Sequence, residues 1–516
     1  MSFPLTSPLF SCISSTFSNV TLFGASIIEL GATQLTNVSL AYPYYPTYGG
    51  LNFCNVSVTY THPGQNDTLR VQVWLPSTTY TERMQGIGGG SYGAGLNDVA
   101  FGGMALAVSQ GYAAVTLDAG LPSQKTVDLQ PEDWALLSPG NVDLYALQNL
   151  ASVSLSDATL LAKDFVESYY GQLPKFSYWN GCSQGGRQGL MLAQQYPDLY
   201  DGILAASPAI SWNKWAIGDY YPTFVMDQLK QYPYACELEA IRTAAINACD
   251  ELDGVVDGII TDPEACNFDP STVVGGPVNC SDAAGPLTIS DAAVKVVQAV
   301  WGGARDDRNE SLWFGLNKDA AITGSSGLAE TSCTNGTCSR SPPPLCNTWL
   351  QYFLAKDPSV DLSTMTQTYY DDLFRISVQQ YTSIYGTDDP DLSAFRDSGG
   401  KMITYHGLSD VLIPPMTTQH YYDAATAVDQ SVQDYYRLFF SPGLGHCDGG
   451  LGGYPAGAFE ALQTWVENGT APDTLLGTSA ADSQGNVIER PLCLYPKKQI
   501  YKGSGNTSVA ENFACE

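Results

Sequence analysis

Apolar and polar residues alternate along VSVTYTH (56–62) and LRVQVWLP (69–76), the period-2 pattern of strands with one buried face. The next segment, MQGIGGGSYGAG (84–95), breaks that period, and its glycines mark a loop built for close approach of another backbone. GYAAVTLDAG (111–120) is a short apolar run and reads as a buried strand. In SDATLLAKDFVESYYG (156–171) apolar residues recur at helical spacing, with Ser156 or Asp157 as the cap and Gly171 beyond the end. FSYWNGCSQGGRQGLMLAQQYP (176–197) reads as strand, sharp turn, helix, and DGILAASPA (201–209) as a further buried strand. This strand–helix alternation implies a largely parallel sheet covered on both faces.

The rhythm breaks near residue 210. From there to about 395 the chain is loop-rich, holds seven cysteines from Cys236 to Cys346, and includes SPPPLC (341–346). It reads as an insertion braced by disulfides. The rhythm returns in KMITYHGLSDVLIPP (401–415) and QDYYRLFFSPGLGHCDGG (433–450), each a strand followed by a polar loop, and FEALQTWVENGT (459–470) is a last helix. No internal repeat is visible.

A length of 516 residues suits two domains or one domain with a large insertion. The net charge of −29 is spread along the chain, which makes nucleic acid a poor partner, since phosphate binding needs Lys and Arg. No run of 18 apolar residues exists, so no membrane span is expected. The thirteen cysteines include no C-x₂-C pair, which argues against a zinc ribbon. Nine N-x-S/T sequons accompany them, at Asn19, Asn37, Asn55, Asn66, Asn279, Asn309, Asn335, Asn468 and Asn506. Together they point to an oxidising secretory route, N-linked glycans and an extracellular protein. MSFPLTSPLF at the start has neither a charged n-region nor a long apolar run, so a signal peptide is expected to have been removed already.

Gly181-Cys182-Ser183-Gln184-Gly185 is a G-x-S-x-G pattern, which places a serine nucleophile on a strand-to-helix turn. A serine nucleophile needs an imidazole base, and only His62, His406, His420 and His446 are available. Chain order Ser…Asp…His favours His446, in a Gly-rich loop after a strand and near the last element. Asp410, ending GLSD after another strand, is the expected acid, whereas Asp448 is too near His446 in sequence. His62, His406 and His420 read as structural. Cys182 adjoins Ser183 and Cys447 adjoins His446, so a Cys182–Cys447 disulfide would clamp the serine and histidine loops together. Cys182 as the nucleophile is the weaker alternative in an oxidising compartment.

The tetrahedral intermediate needs N–H donors. The amide of Gln184 is one, and Gly89 or Gly90 in GIGGG (86–90) is the other, unless that run is a plain tight turn. No Gly-Lys-Ser/Thr follows it, so it is not a phosphate loop. In CDELDGVVDGIITDPEAC (249–266), Asp250, Asp253 and Asp257 cluster around Gly254 and Gly258, hard oxygen donors that suit Ca²⁺, with an exposed acidic turn as the alternative. Cys12 is expected to pair with Cys54, and Cys493 with Cys515. Cys236, Cys280, Cys333, Cys338 and Cys346 cannot be paired by sequence, and an odd total leaves one free.

The Cys-Ser…Asp…His-Cys pattern resembles the tannase and feruloyl esterase family, over nearly the whole chain. The resemblance implies an α/β-hydrolase fold with a large inserted lid: residues 1–208 and 396–516 forming the catalytic domain, and 209–395 the lid. It implies Ser183 as nucleophile, His446 as base, Asp410 as acid, Cys182–Cys447 as the linking disulfide, and the oxyanion loop at GIGGG. It also implies structural calcium in the lid, held by Asp250, Asp253 and Asp257 side chains and the Val255 and Ile259 carbonyls, with Cys249–Cys266 closing the run. The expected substrates are esters of aromatic acids from plant cell walls or polyphenols, feruloyl-type first and gallate second. A serine carboxypeptidase and a catalytically dead binding module are the rivals. The Cys-Ser and His-Cys pairs and the calcium run speak against the first, the intact triad against the second. The insertion's Trp212, Trp215, Tyr220, Tyr221 and Phe224 read more readily as packing than as a substrate pocket.

Overall fold

The structure is a computed structural model that describes residues 8–122, 131–281, 283 and 285–516. Residues 1–7, on which much of the signal-peptide reading rests, lie outside them. The chain divides into two compact units, the first of residues 1–209, 391–402 and 462–469, the second of 210–390, 403–461 and 470–516. The first break falls beside the expected 208/209 boundary. Of the segment 396–516, expected to rejoin the first domain whole, most groups with the second unit.

In the first unit, strands β1 (Ser26–Leu40), β2 (Tyr48–Thr61), β3 (Leu69–Pro76), β4 (Arg83–Ile87), β5 (Ala113–Leu117), β6 (Phe176–Cys182) and β7 (Gly202–Ala206) lie in the order β1-β2-β3-β5-β4-β6-β7. The sheet is mixed, where the alternation predicted a largely parallel one. β1, β2, β3 and β5 pair antiparallel in turn, while β5, β4, β6 and β7 are parallel. The parallel strands are those joined by helical crossovers: α1 (Asp98–Ser109), α2 (Ser154–Tyr170) and α3 (Gln184–Gln195).

β4 occupies the start of the segment read as a loop. All five of its residues are buried, so no solvent face exists to impose alternation. Its buried Arg83 is held by Glu467, Nε to Oε1 at 2.7 Å and Nη2 to Oε2 at 2.6 Å, and the Tyr178 hydroxyl donates to the same Oε1 at 2.7 Å. Helical backbone also begins before the expected Ser156 or Asp157. Asp143 caps Leu144–Gln148 by accepting the Ala146 amide at 3.0 Å, and a π-helical turn over Asn149–Val153 leads into α2. Gly171, at φ 82°, closes α2 as predicted.

The second unit begins with the insertion. Its helices α4 (Ala235–Cys249) and α5 (Asp291–Gly302) bury Leu238, Ile241, Val296, Val297 and Val300 against one another. α6 (Gln367–Tyr381) packs Tyr370 on Phe224, rings stacked at 5.0 Å. Trp212, Trp215, Tyr220 and Phe224 are all buried, and the indoles of Trp212 and Trp215 meet edge to face at 4.8 Å. These aromatics are packing. Beyond the insertion come β8 (Lys401–Gly407), α7 (Pro415–Val428) and β9 (Tyr436–Ser441), with β8 beside β9.

The expected Cys12–Cys54, Cys249–Cys266 and Cys493–Cys515 bonds are present. The pairings left open resolve as Cys236–Cys280 and Cys333–Cys338, with Cys346 buried and free. Among the described residues no helix is long and apolar enough to cross a membrane.

Candidate active site

β6 runs into α3 through a single residue, Ser183, whose φ of 61° and ψ of −121° put a non-glycine residue in left-handed space. That strain is the signature of a serine lifted out of the chain at a strand-to-helix elbow. Backbone bonds fix it on both sides: the Ser183 amide donates to Ala206 at 3.0 Å, and its carbonyl accepts from Arg187 at 2.9 Å and Ala209 at 3.0 Å. Gly181 has to be glycine, because a Cβ there would collide with the Gly185 backbone. Gln184 is the first residue of α3, so its amide lies ahead of the intrahelical ladder. Its side chain is tied down by Arg187, fully buried, which donates from Nε to Gln184 Oε1 at 2.7 Å and from Nη1 and Nη2 to the Ala151 and Leu150 carbonyls.

The Gly-rich loop follows β4 and lies against this elbow. The Gly88 amide donates to Asn180 at 3.1 Å, and the Gly185 amide to Gly89 at 3.1 Å. One of the two predicted oxyanion donors is already committed: the Gly89 amide donates to Gln188 Oε1 at 2.9 Å, while Gln188 Nε2 donates to Ala94 at 3.1 Å. The Gly89 amide thus already has an acceptor in the structure. Arg187 and Gln188 were invisible as site supports in the sequence, where they are two polar residues of an amphipathic helix.

In the second unit, Asp410 and His446 form a pair, Nδ1 to Oδ2 at 2.7 Å. Asp410 is completely buried and accepts four hydrogen bonds. Its Oδ1 takes the Leu412 and Ile413 amides at 2.8 and 3.0 Å, and its Oδ2 takes His446 and also His406 Nε2, at 3.0 Å. Burial pushes its carboxyl up, yet the charge of His446 and the bonds from His406 and His446 hold it well below the usual carboxylate range. It is therefore a carboxylate and an acceptor only, which makes Nδ1 of His446 and Nε2 of His406 donors. The His446 loop is anchored by the Tyr405 hydroxyl, donating to the Cys447 carbonyl at 3.2 Å, and by the Ser409 amide, donating to Leu444 at 3.0 Å. His446 Nε2 is the nitrogen left for proton transfer. The sequence read His406 as structural; its spacing four residues before Asp410 was the one available signal. Cys182 and Cys447 are each disulfide-bonded.

In the acidic run of the insertion, Asp250 accepts the Asp257 and Gly258 amides at 3.1 and 3.0 Å, Asp253 accepts the Val255 amide at 2.9 Å, and Asp257 accepts the Ile259 amide at 3.3 Å. Gly258, at φ 80°, permits the turn that folds the loop back on Asp250. Of these three carboxylates Arg490 meets Asp257, Nη2 to Oδ2 at 2.8 Å. Among the described residues no three acidic, histidine or cysteine side chains converge enough to hold a metal by themselves. The three carboxylates are hard oxygen donors, the ligand type that a calcium ion takes.

A sequence profile described as tannase and feruloyl esterase matches residues 54–516. A "Probable feruloyl esterase" of Arthroderma benhamiae is 38% identical over 503 residues, covering 95% of this chain and 91% of the relative. A tannase of Aspergillus oryzae is 28% identical over 95% of this chain and 90% of its own length. Among solved structures, tannin acyl hydrolase from Aspergillus niger superposes with a TM-score of 0.86 at 26% identity, covering 99% of this chain and 96% of that one.

Proposed function

The chain belongs to the tannase and feruloyl esterase family and is a carboxylic ester hydrolase, and from that premise we propose that it cleaves esters of hydroxycinnamic, feruloyl-type acids through an acyl-enzyme on Ser183. The observation that carries the chemistry is a serine held at φ 61° on a strand-to-helix elbow in a chain that also holds a buried Asp410–His446 pair.

In this reading His446 Nε2 takes the Ser183 hydroxyl proton while Oγ attacks the ester carbonyl. Asp410 holds the imidazole by Nδ1 and stabilises the cation that forms. The amides of Gln184 and Gly90 receive the oxyanion. His446 then returns the proton to the departing alcohol oxygen, leaving the acyl group on Ser183. Water attacks that ester, losing its proton to His446, and the aromatic acid leaves as Ser183 is restored.

Cys182 and Cys447 are proposed partners of one another, since every other cysteine is either paired or free. Calcium is proposed as a structural ion, held by Asp250, Asp253 and Asp257 and the carbonyls of Val255 and Ile259; bound there it would neutralise the crowded carboxylates. Secretion with N-linked glycans is supported by the disulfides and by eight exposed sequons. Asn55 is the exception: it is only half-exposed in the middle of β2, with its Oδ1 buried.

Gallate esters are the second reading, favoured by the likeness to a tannin acyl hydrolase. Initial rates on methyl ferulate, p-coumarate, caffeate and gallate decide between them, with Ser183→Ala beside the native enzyme. Cinnamate turnover abolished by the substitution supports the proposal, preference for gallate moves the substrate and keeps the mechanism, and activity surviving Ser183→Ala ends both.

A further inference from the structure

We infer that His406 is a positioning residue for the catalytic acid: it fixes the orientation of the Asp410 carboxylate, and through it the imidazole of His446. The inference rests on the serine-esterase reading above and adds a residue that the reading does not use.

The acceptor capacity of Asp410 is divided in two. Backbone amides of its own loop, from Leu412 and Ile413, hold Oδ1. Oδ2 is the oxygen that faces His446, and its other partner among the described residues is His406 Nε2 at 3.0 Å. Without His406 the carboxylate would be located at one oxygen only, leaving the working oxygen to be placed by the imidazole it is meant to orient. A displacement of an ångström at such a group is enough to cost about a hundredfold in rate.

His406 is itself built for this task. It is completely buried on β8, so its ring has no solvent to donate to. Its other nitrogen, Nδ1, lies 2.8 Å from Thr418 Oγ1 on α7. Because Asp410 can only accept, Nε2 carries the hydrogen. In the neutral ring Nδ1 is then bare and accepts the Thr418 hydroxyl proton. Thr418 thus selects the tautomer that points N–H at Asp410, as outer partners select the tautomer of metal-bound histidines.

The bond has a chemical consequence as well. When His446 holds the serine proton, Asp410 must stabilise the imidazolium without taking the Nδ1 proton from it. A second donor on Oδ2 makes that oxygen a poorer base, which keeps the proton on His446. The ionisable groups around this centre are His446, Asp219, whose buried carboxyl feels the charge of Asp410, and Asp319, which reaches the loop through the Ser409 hydroxyl at 2.6 Å. Neither carboxyl is a hydrogen-bond donor to Asp410 in the structure, so neither replaces His406.

The test compares two replacements in the whole enzyme. His406→Gln carries an amide N–H at the place of Nε2, whereas His406→Phe keeps the ring volume and loses the donor. Expected for His406→Phe is a kcat on the preferred methyl ester lower by roughly 10- to 100-fold, with KM moving less than about twofold. His406→Gln should recover kcat to within roughly fivefold of the native enzyme. The downfield proton resonance of the His446–Asp410 bond should shift in the phenylalanine variant and persist in the glutamine one. A folded His406→Phe enzyme with native kcat, or a glutamine variant as impaired as the phenylalanine one, overturns the inference by showing that only volume matters. If the phenylalanine variant does not fold, the kcat and the proton resonance of His406→Gln carry the test. Ser183→Ala separates the two levels. Activity that survives it ends the serine reading itself, while its loss beside an unaffected His406→Phe enzyme ends only the role of His406.

Discussion

Asp410 concentrates the chemistry of the site in one carboxylate. Replacing it with asparagine removes the acceptor that sets the His446 tautomer, and steady-state kinetics should show kcat lower by roughly 10⁴-fold with the protein still folded. Its depressed carboxyl contributes stability above the ordinary carboxylate range, which is lost only as pH falls through the low folded value. Asp319 has the opposite sign. Burial pushes its carboxyl up from 3.8 to about 6, so the folded chain binds that proton more tightly than the unfolded one. Its contribution therefore declines as pH climbs between those values, by an amount on the order of 3 kcal/mol. Asp319→Asn should flatten that slope in urea unfolding measured from pH 4 to 7, and an unchanged slope would show that Asp319 does not titrate there. Ser183, Asp410 and His446 could be proposed from sequence because each follows a strand in a pattern that local sequence encodes. His406 and Gln188 were not, because their roles depend on which oxygen or amide a folded loop presents to them.

At the scale of elements, the end of β2 is fastened to α2 by one imidazole between two carboxylates. His62, 8% exposed, meets Asp67 at 2.6 Å through Nδ1 and Asp157 at 3.0 Å through Nε2. The Tyr60 hydroxyl also donates to Asp157, and Asn149 Nδ2 to Asp67. Burial alone would lower the imidazole, but its bonds and charge contacts with Asp67 and Asp157 carry it above the ordinary 6.5. The stabilisation is complete below that value and fades as pH rises through the raised one. His62→Phe leaves one buried and one half-buried carboxylate without their cation and should cost about 2–4 kcal/mol at pH 5. The loss should shrink by pH 8, a difference that paired urea titrations read directly. The sequence read this histidine as structural but could not show what it holds, since its partners lie 5 and 95 residues away. Strands with a wet face, such as β2 and β3, announced themselves by alternation. β4 did not, being buried on both faces and carrying an arginine whose counter-ion is far along the chain.

For the whole molecule, an acidic chain with few cations has to manage its carboxylates, and in the run from Asp250 to Asp257 the charges of Asp250 and Asp253 bear on Asp257. If calcium holds that loop, a chelator should lower the melting temperature by about 5–10 °C in scanning calorimetry. Labelling of Ser183 by a fluorophosphonate at 25 °C should remain, because the proposed ion takes no part in the reaction. An unchanged melting temperature would remove calcium from the account. The break near residue 210 was legible because the strand–helix rhythm stops there. The grouping of residues 403–461 and 470–516 with the insertion was not, since both sides of that division use similar strands and loops. The cysteines add something else. Twelve are oxidised, and the remaining one, Cys346, is enclosed in the second unit with its thiol pushed up by burial. A thiol reagent in solution can reach that sulfur only when the surrounding structure opens. The native chain thus carries its own stopwatch: the rate at which Cys346 is alkylated counts the openings of the second unit, with no engineered probe.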